Sequence, residues 1–513
     1  MVLPTGNKEY RHPVEKIREE QKEKMFPDWR KSINEVFKGD FSGEKDPFYL
    51  ENADPLFLMT MSEPEPGNPR TWDHIRRNAL AAPMGYDEGE FHNQPPLVNW
   101  AYHLHTPETW DRLKDNMLSS NEQAERAVIN LSYTARDSLL VPFKEHITDD
   151  SETVVLNPID VADLFTDKYE TFRHLDEAGL PTIPTTKAST LFYDGKEATE
   201  AEIGSDDRGY VIKPLNGFGG DGVFKVDSLE EVREMLNTPE GIREIVEEGS
   251  YESEDELEEE FEKRNNNREE VWENYLIQTR IPHPSDIRVE GIGDKFTNAE
   301  RRYSADGELC TNFSDVSANY EGSNFGVYTK ILNAISEGRL EPLYLDLLDK
   351  PGRTDELGQG ARNLSQEIMD SIDAHAFNFD DNLPQNPVKI GIDLLETKRE
   401  KIQHLPDHWI ERAEEFSDGN TLYFIPELNG MPGSGVDLAA MYADAPEQIS
   451  TIHVYNLMRD LSGLDDYSVD QIVENYSQDP EGQLYQRILG FYPDSDLSKE
   501  EYLKLASLND KRA

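Results

Sequence analysis

Cysteine is almost missing from this chain: Cys310 is the single one among 513 residues. A lone thiol excludes an intrachain disulfide framework and a cysteine-ligated metal cluster. Long apolar runs are missing too. No stretch approaches the ~18 consecutive apolar residues of a membrane-spanning helix, and the opening residues lack a signal-peptide core. The expectation is a cytoplasmic protein that does not enter a membrane. Basic side chains are scarce: 51 Lys and Arg stand against 103 Asp and Glu, a formal net charge of −52. Nucleic acid and anionic membranes select basic surfaces, so neither is an expected partner.

A charge of that size repels itself and works against the compact state in dilute buffer. Concentrated salt screens it, the Debye length shrinking to about 3 Å at 1 M. The acid is spread along the chain rather than gathered in a tail, apart from a denser run over 247–273. Aromatic residues reach 10% and apolar segments recur to the end, which excludes global disorder. The reading is a protein adapted to a salt-rich cytoplasm, such as haloarchaea and their viruses occupy. The first 50 residues carry 10 basic and 10 acidic side chains, so the whole deficit lies downstream.

Periodicity divides the chain. Residues 13–38 read as a surface helix broken near Pro27, and 39–55 as a linker. Candidate strands at 56–60, 97–102, 127–131 and 153–156, with a helix over 71–82, indicate an α/β layer. A helix is expected over 166–179, where Tyr169, Phe172 and Leu175 share a face before Gly179 and Pro181. Strands at 210–214 and 223–226 flank a glycine loop, and Ser228 with Glu231 opens the next helix as a capping box. Apolar runs at 287–292 and 295–303 around Gly293-Asp294 predict a hairpin. The stretch 339–386 reads as helix and loop, 388–395 and 422–428 as strands, and the last 70 or so residues as mostly helical.

Two constellations carry chemistry. Gly217, Gly219, Gly220 and Gly222 lie between two strands rather than between a strand and a helix. That excludes a dinucleotide fingerprint and a Walker loop. It suits a flap whose backbone N–H groups fold over phosphates. Lys213, on the incoming strand, and Lys168, in the first turn of the preceding helix, are the candidate phosphate cations. At the end of a later strand, Glu427 and Asn429 share a face by their spacing of two. Asp393 ends another strand, and the three oxygen donors suit a hard octahedral cation. His103 and His105 alternate as in a strand without an evident third ligand, and His283 reads as a loop residue.

In order along roughly 150–440, these pieces resemble the ATP-grasp superfamily, in its glutathione-synthetase-like and RimK-like branch. Asp167-Lys168 with Leu180-Pro-Thr-Ile-Pro184 resembles the opening helix and loop. Val211-Ile-Lys213 with Gly217 to Gly222 resembles the strand and phosphate flap, and Tyr275 to Ile281, with Gln278, the hinge beside adenine. Arg288, Arg302 and Asn312 resemble the substrate and phosphate positions, and Asp393, Glu427 and Asn429 the magnesium ligands. The chain departs from the pattern at Thr279, where an acid is usual. It also departs after Asn312, where no basic Arg-Gly-Gly follows, and in the 34-residue interval from Asp393 to Glu427.

The resemblance implies an α/β (α+β) fold in which two α+β lobes clamp ATP behind a small α/β domain. It divides the chain into an arm at 1–55, the preceding domain at 56–160, a small lobe at 161–240, an acidic insertion at 241–274, a C-terminal lobe at 275–440 and a helical extension at 441–513. ATP and Mg²⁺, or Mn²⁺ in its place, are the implied cofactors. A small carboxylate and an amine are the implied substrates, with room for a protein or peptide acceptor and for a homo-oligomer. The implied reaction is ligation through an acylphosphate. A small-molecule kinase on the same fold and a non-catalytic nucleotide-binding protein are the alternatives. Asp393→Asn and Glu427→Gln are expected to abolish magnesium-dependent turnover and leave the fold intact.

Overall fold

Alternating and continuous apolar runs form the strands of this protein, and amphipathic stretches form its helices. The structure, a computed structural model, describes residues 56–61, 99–104, 127–130, 154–157, 159–204, 208–216, 222–247, 254–303, 334–335, 338–347, 352–376, 388–430, 445–448 and 453. The arm at 1–55, the helix expected over 71–82 and most of 441–513 lie outside these residues.

Strands β1 (Leu56–Met61), β2 (Asn99–Leu104), β3 (Ala127–Asn130) and β4 (Val154–Leu156) make a parallel sheet in the order β2-β1-β3-β4. All four expected strands are present, with β2 displaced two residues towards the C-terminus. Helices α1 (Ile159–Thr166) and α2 (Lys168–Glu177) follow. The single start expected at 166 is corrected. One helix ends at Thr166 and a second begins at Lys168, because the Asp167 carboxylate accepts from the Tyr169 and Glu170 N–H groups at 3.0 and 3.1 Å. A short carboxylate does more as an N-cap than inside a helix.

Strands β5 (Thr185–Lys187), β6 (Tyr210–Pro214), β7 (Phe224–Val226) and β8 (Tyr275–Thr279) form an antiparallel sheet in the order β5-β8-β6-β7. The stretch read as a hinge is thus largely an inner strand, buried along its length. Helices α3 (Ala188–Tyr193), α4 (Lys196–Ile203), α5 (Leu229–Asn237), α6 (Pro239–Glu247), α7 (Glu254–Asn266) and α8 (Arg268–Glu273) accompany it. Ser228 Oγ accepts from Glu231 N–H at 3.2 Å, as the capping box requires. The core of this unit joins Ile212, Ile277, Val232, Leu236, Ile245 and Val271. Helix α6, which ends where the acidic run begins, and α8, within that run, therefore contribute to it, whereas α7 buries no side chain and is a solvated acidic face.

The third sheet is antiparallel throughout, in the order β11-β10-β9-β12-β13. It comprises β9 (Ser285–Ile292), β10 (Lys295–Tyr303), β11 (Leu340–Leu343), β12 (Lys389–Lys398) and β13 (Thr421–Asn429). Gly293, at φ 58°, opens the expected two-residue turn between β9 and β10. Strand β11 corrects the helix-and-loop reading of its region, which also holds α9 (Gln359–Ala376). Four residues with a proline give little periodic signal. One sheet face presents Ile287, Val289, Ile392 and Leu394 to Leu364, Ile368 and Ile372 of α9 and to Val161 and Phe165 of α1. At the β11 edge the Gln448 amide accepts from Leu345 N–H and donates to Leu343 C=O, both at 2.8 Å, as a neighbouring strand would.

The two antiparallel sheets meet along β13. Ile425 N–H donates to Pro181 C=O at 2.9 Å, and Ile183 N–H to Ile425 C=O at 3.3 Å. Helix α10 (Asp407–Glu415) packs Ile410 and Ala413 beneath this junction with Ile183, Ile281 and Leu395.

Candidate functional site

The opposite face of the third sheet is charged. Side chains alternate across a strand, so the apolar set above leaves Asp286, Arg288 and Glu290 of β9 on the other face. Register places Arg302 opposite Asp286, Glu300 opposite Arg288, and Asp393 between Arg288 and Glu427. Arg288 holds Asp393 with a two-pronged contact, Nε to Oδ1 at 2.8 Å and Nη2 to Oδ2 at 2.6 Å. Arg302 joins Asp393 Oδ1 at 2.7 Å through Nη2 and Asp286 Oδ1 at 2.6 Å through Nε. Asn429 Nδ2 donates to Asp393 Oδ2 at 3.0 Å. Asp393 thus accepts four hydrogen bonds, about the capacity of a carboxylate.

Burial alone would raise the Asp393 pKa. The guanidinium groups of Arg288 and Arg302 outweigh it and hold the carboxyl below its ordinary range. Burial likewise disfavours charge on Arg302, but Asp286, Asp393 and Glu300 overcome it and keep the guanidinium charged. Glu300 is pushed up by burial, against the pull of Arg302 and Arg288.

A bulge aims the end of β13. Asp393 faces Glu427 while Leu395 faces Phe424, so Leu394 spans two residues, Ile425 and Pro426. Proline has no N–H for a ladder and suits a bulge. Such irregularities re-aim side chains beside active sites. The Pro426 carbonyl accepts from Lys213 Nζ of β6 at 3.0 Å, a contact from one antiparallel sheet to the other. Lys213 is buried, and that burial, offset by Glu427 and reinforced by Lys168, lowers its pKa to about 8. Lys168, first residue of α2, is lowered by burial against the pull of Glu427 and Asp167. Its backbone N–H meets Leu215 C=O, at the mouth of the glycine loop, at 3.2 Å.

Most expected site residues therefore converge. Lys168 and Lys213 face Glu427 electrostatically, and Asp393, Asn429, Arg288 and Arg302 form one hydrogen-bonded cluster. Gln278 is buried and donates to Thr185 Oγ1 at 2.7 Å across the β5–β8 ladder, while Ile281 joins the apolar junction. Gly222, at φ 71°, begins the return of the glycine loop. Gly217, Gly219, Gly220 and Asn312 lie outside the described residues, as do the His103 side chain and His105. His283 sits in the loop between β8 and β9, its Nδ1 2.8 Å from Ile281 C=O. Asp286 and Glu300 were missed as site residues. The charged alternation Asp286-Arg288-Glu290 beside Asn298-Glu300-Arg302 was the signal that could have found them.

Among the described residues no three His, Cys, Asp or Glu side chains cluster as a metal set. The candidate set is two carboxylates and an amide, hard oxygen donors of the kind magnesium takes. Glu427 and Asn429 fit that role by spacing. Asp393 fits if the Asn429 amide turns over, exchanging its donated hydrogen bond for an oxygen on the same side.

No family model matches the chain, and no curated protein does. Among solved structures, similarity extends to D-cycloserine synthetase DcsG, with TM-score 0.41 and 11% identity over 78% of this chain and 99% of that one. It extends also to D-alanine–D-alanine ligase from Bacillus anthracis complexed with ATP, with TM-score 0.38 and 10% identity over 84% and 99%. L-amino acid ligase from Bacillus licheniformis matches with TM-score 0.38 and 12% identity over 78% and 75%. These are likenesses in outline; the chemistry rests on the side chains described above. No helix among the described residues is long and apolar enough to cross a membrane.

Proposed function

We propose that this protein is an ATP-grasp carboxylate–amine ligase that works in a salt-rich cytoplasm. It activates a carboxylate with ATP as an acylphosphate, which an amine then attacks with release of phosphate. One observation carries the reading: Lys168 and Lys213 converge on Glu427 where the two antiparallel sheets meet, beside the cluster of Arg288, Arg302 and Asp393. Lys213 is buried and Lys168 half-buried, desolvation lowers the pKa of both, and a polyphosphate beside them would favour their charged forms. Phosphoryl transfer needs positioning and charge neutralisation more than a side-chain nucleophile.

Lys213 and Lys168 bind and orient the phosphates, and by the resemblance the glycines at 217–222 would cover them. Glu427, Asn429 and Asp393 would hold Mg²⁺ or Mn²⁺, which when bound neutralises charge between phosphates. Arg288 and Arg302, fixed by Asp393 and Asp286, present rigid guanidinium forks suited to a carboxylate or a transferring phosphoryl group. By the resemblance, Gln278 and Ile281 would serve the nucleotide, and Asn312 the acceptor. The expected partners are a small carboxylate and an amine, with a protein or peptide as the other acceptor class. A homo-oligomer is compatible with this reading.

The test is ATP turnover with magnesium in about 2–3 M KCl, where surface repulsion is screened, across a panel of acids and amines. ADP and phosphate release that requires one acid and one amine supports the ligase. A stable phosphorylated product formed without amine would make the protein a kinase. ATP binding without turnover on any pair would favour a non-catalytic nucleotide-binding protein.

A further inference from the structure

Asn157 is the one non-glycine residue among those described with a left-handed backbone, at φ 59°. It follows β4, the last strand of the parallel sheet, and its side chain is buried with the residue only 2% exposed. Its Oδ1 accepts from Lys389 N–H at 2.6 Å, and its Nδ2 donates to the Gly430 carbonyl. Lys389 is the first residue of β12, and Gly430 follows Asn429, the last of β13. Gly391 opposite Asn429 is the terminal pair of that ladder. The Asn157 amide thus ties the two strand ends together just beyond it. Phe165 packs so tightly here that a side-chain carbon on Gly430 would lie 2.5 Å from its ring.

We infer that Asn157 is a positioning residue for the divalent cation, acting through the end of β13. Asn429 belongs to the last ladder pair and directly precedes the Gly430 carbonyl, so holding that carbonyl fixes the backbone from which its side chain reaches Asp393. Asparagine suits the task on two counts. It tolerates the left-handed region better than most side chains, and its amide serves a donor and an acceptor at once. Residues that orient ligands in this way change metal affinity when lost, typically by 10–100-fold. The inference rests on the magnesium reading above, and the experiment separates the two.

Manganese binding is measured by electron paramagnetic resonance in concentrated KCl, with a non-hydrolysable ATP analogue present, for four proteins. These are the unaltered chain, Asn157→Gly, Asn157→Asp and Gln448→Ala. Glycine relieves the backbone strain and removes the amide. Aspartate keeps the acceptor for Lys389 N–H and sets a carboxylate against the Gly430 carbonyl. The expected result is at least a roughly tenfold loss of manganese affinity in both Asn157 variants. Gln448→Ala breaks two hydrogen bonds at the distant β11 edge and should lower the melting temperature without moving manganese affinity. Unaltered affinity in the Asn157 variants that fold would overturn the inference alone. An equal loss in Gln448→Ala would also overturn it, by making the effect one of general destabilisation. Failure of the unaltered chain to bind manganese would overturn the magnesium reading and this inference with it.

Discussion

Asp393 holds the buried Arg302, the half-buried Arg288 and an amide, so its replacement affects more than a cation. Asp393→Asn removes the charge opposing Arg288 and Arg302. Stranding one side of a buried ion pair costs about 3–5 kcal/mol. The expected outcome is a marked fall in the denaturation midpoint together with loss of turnover, which revises the expectation of an intact fold. Glu427→Gln removes the carboxylate that faces Lys213 and Lys168 but strands no guanidinium among the described contacts: turnover should be lost with a smaller fall in the midpoint than in Asp393→Asn. Lys213 makes a pH prediction. Its folded pKa, about 8, lies below the ordinary 10.5. The buried ammonium therefore burdens the ligand-free fold below about 8, and that burden lifts as pH rises from 8 towards 10.5. Binding runs the other way, because the phosphates lose a positive partner. ATP affinity measured by calorimetry without divalent cation should fall several-fold from about pH 7 to about pH 9. Lys213→Met should bind weakly and show little of that dependence.

The elements deliver their groups from different positions: Glu427 and Asn429 come from the end of β13, whereas Asp393, expected at a strand end, lies in the middle of β12 because pairing with β9 and β13 carries that strand on to Lys398. The bulge at Pro426 frees a carbonyl for Lys213 and turns Glu427 and Asn429 towards Asp393. The break at Asp167 makes Lys168 the first residue of a helix rather than a member of its interior. Asp167→Ala should cost about 1 kcal/mol by loss of the cap, read in a urea titration, and should weaken ATP binding because Lys168 loses its fixed start. Asp167→Asn, which still offers an oxygen to the N–H groups, should restore most of both.

At the scale of the whole molecule the charge of −52 dominates. It is carried on surfaces such as α7, where no side chain is buried, while the sheets keep apolar cores. Lowering salt below about 0.5 M lengthens the screening distance and unmasks the repulsion. The melting temperature should fall steadily from about 3 M to about 0.1 M KCl. A flat profile would refute adaptation to salt.

By itself the sequence determined the strand-rich α+β plan, because two-residue alternation and apolar runs are local properties. It also determined Lys168, Lys213, Asp393, Glu427 and Asn429 as candidates, because polar residues in or beside apolar runs stand out against their neighbours. Strand β11, the inner strand β8 and the break at Asp167 were less legible, since short segments take their state from the partners they meet. Only the tertiary structure decided that Arg288 and Arg302 converge on Asp393 and that Lys213 reaches across to Pro426. It alone joined Asn157 to strand ends more than two hundred residues away. Register and packing bring those groups together, and neither can be read from the spacing of residues along one strand.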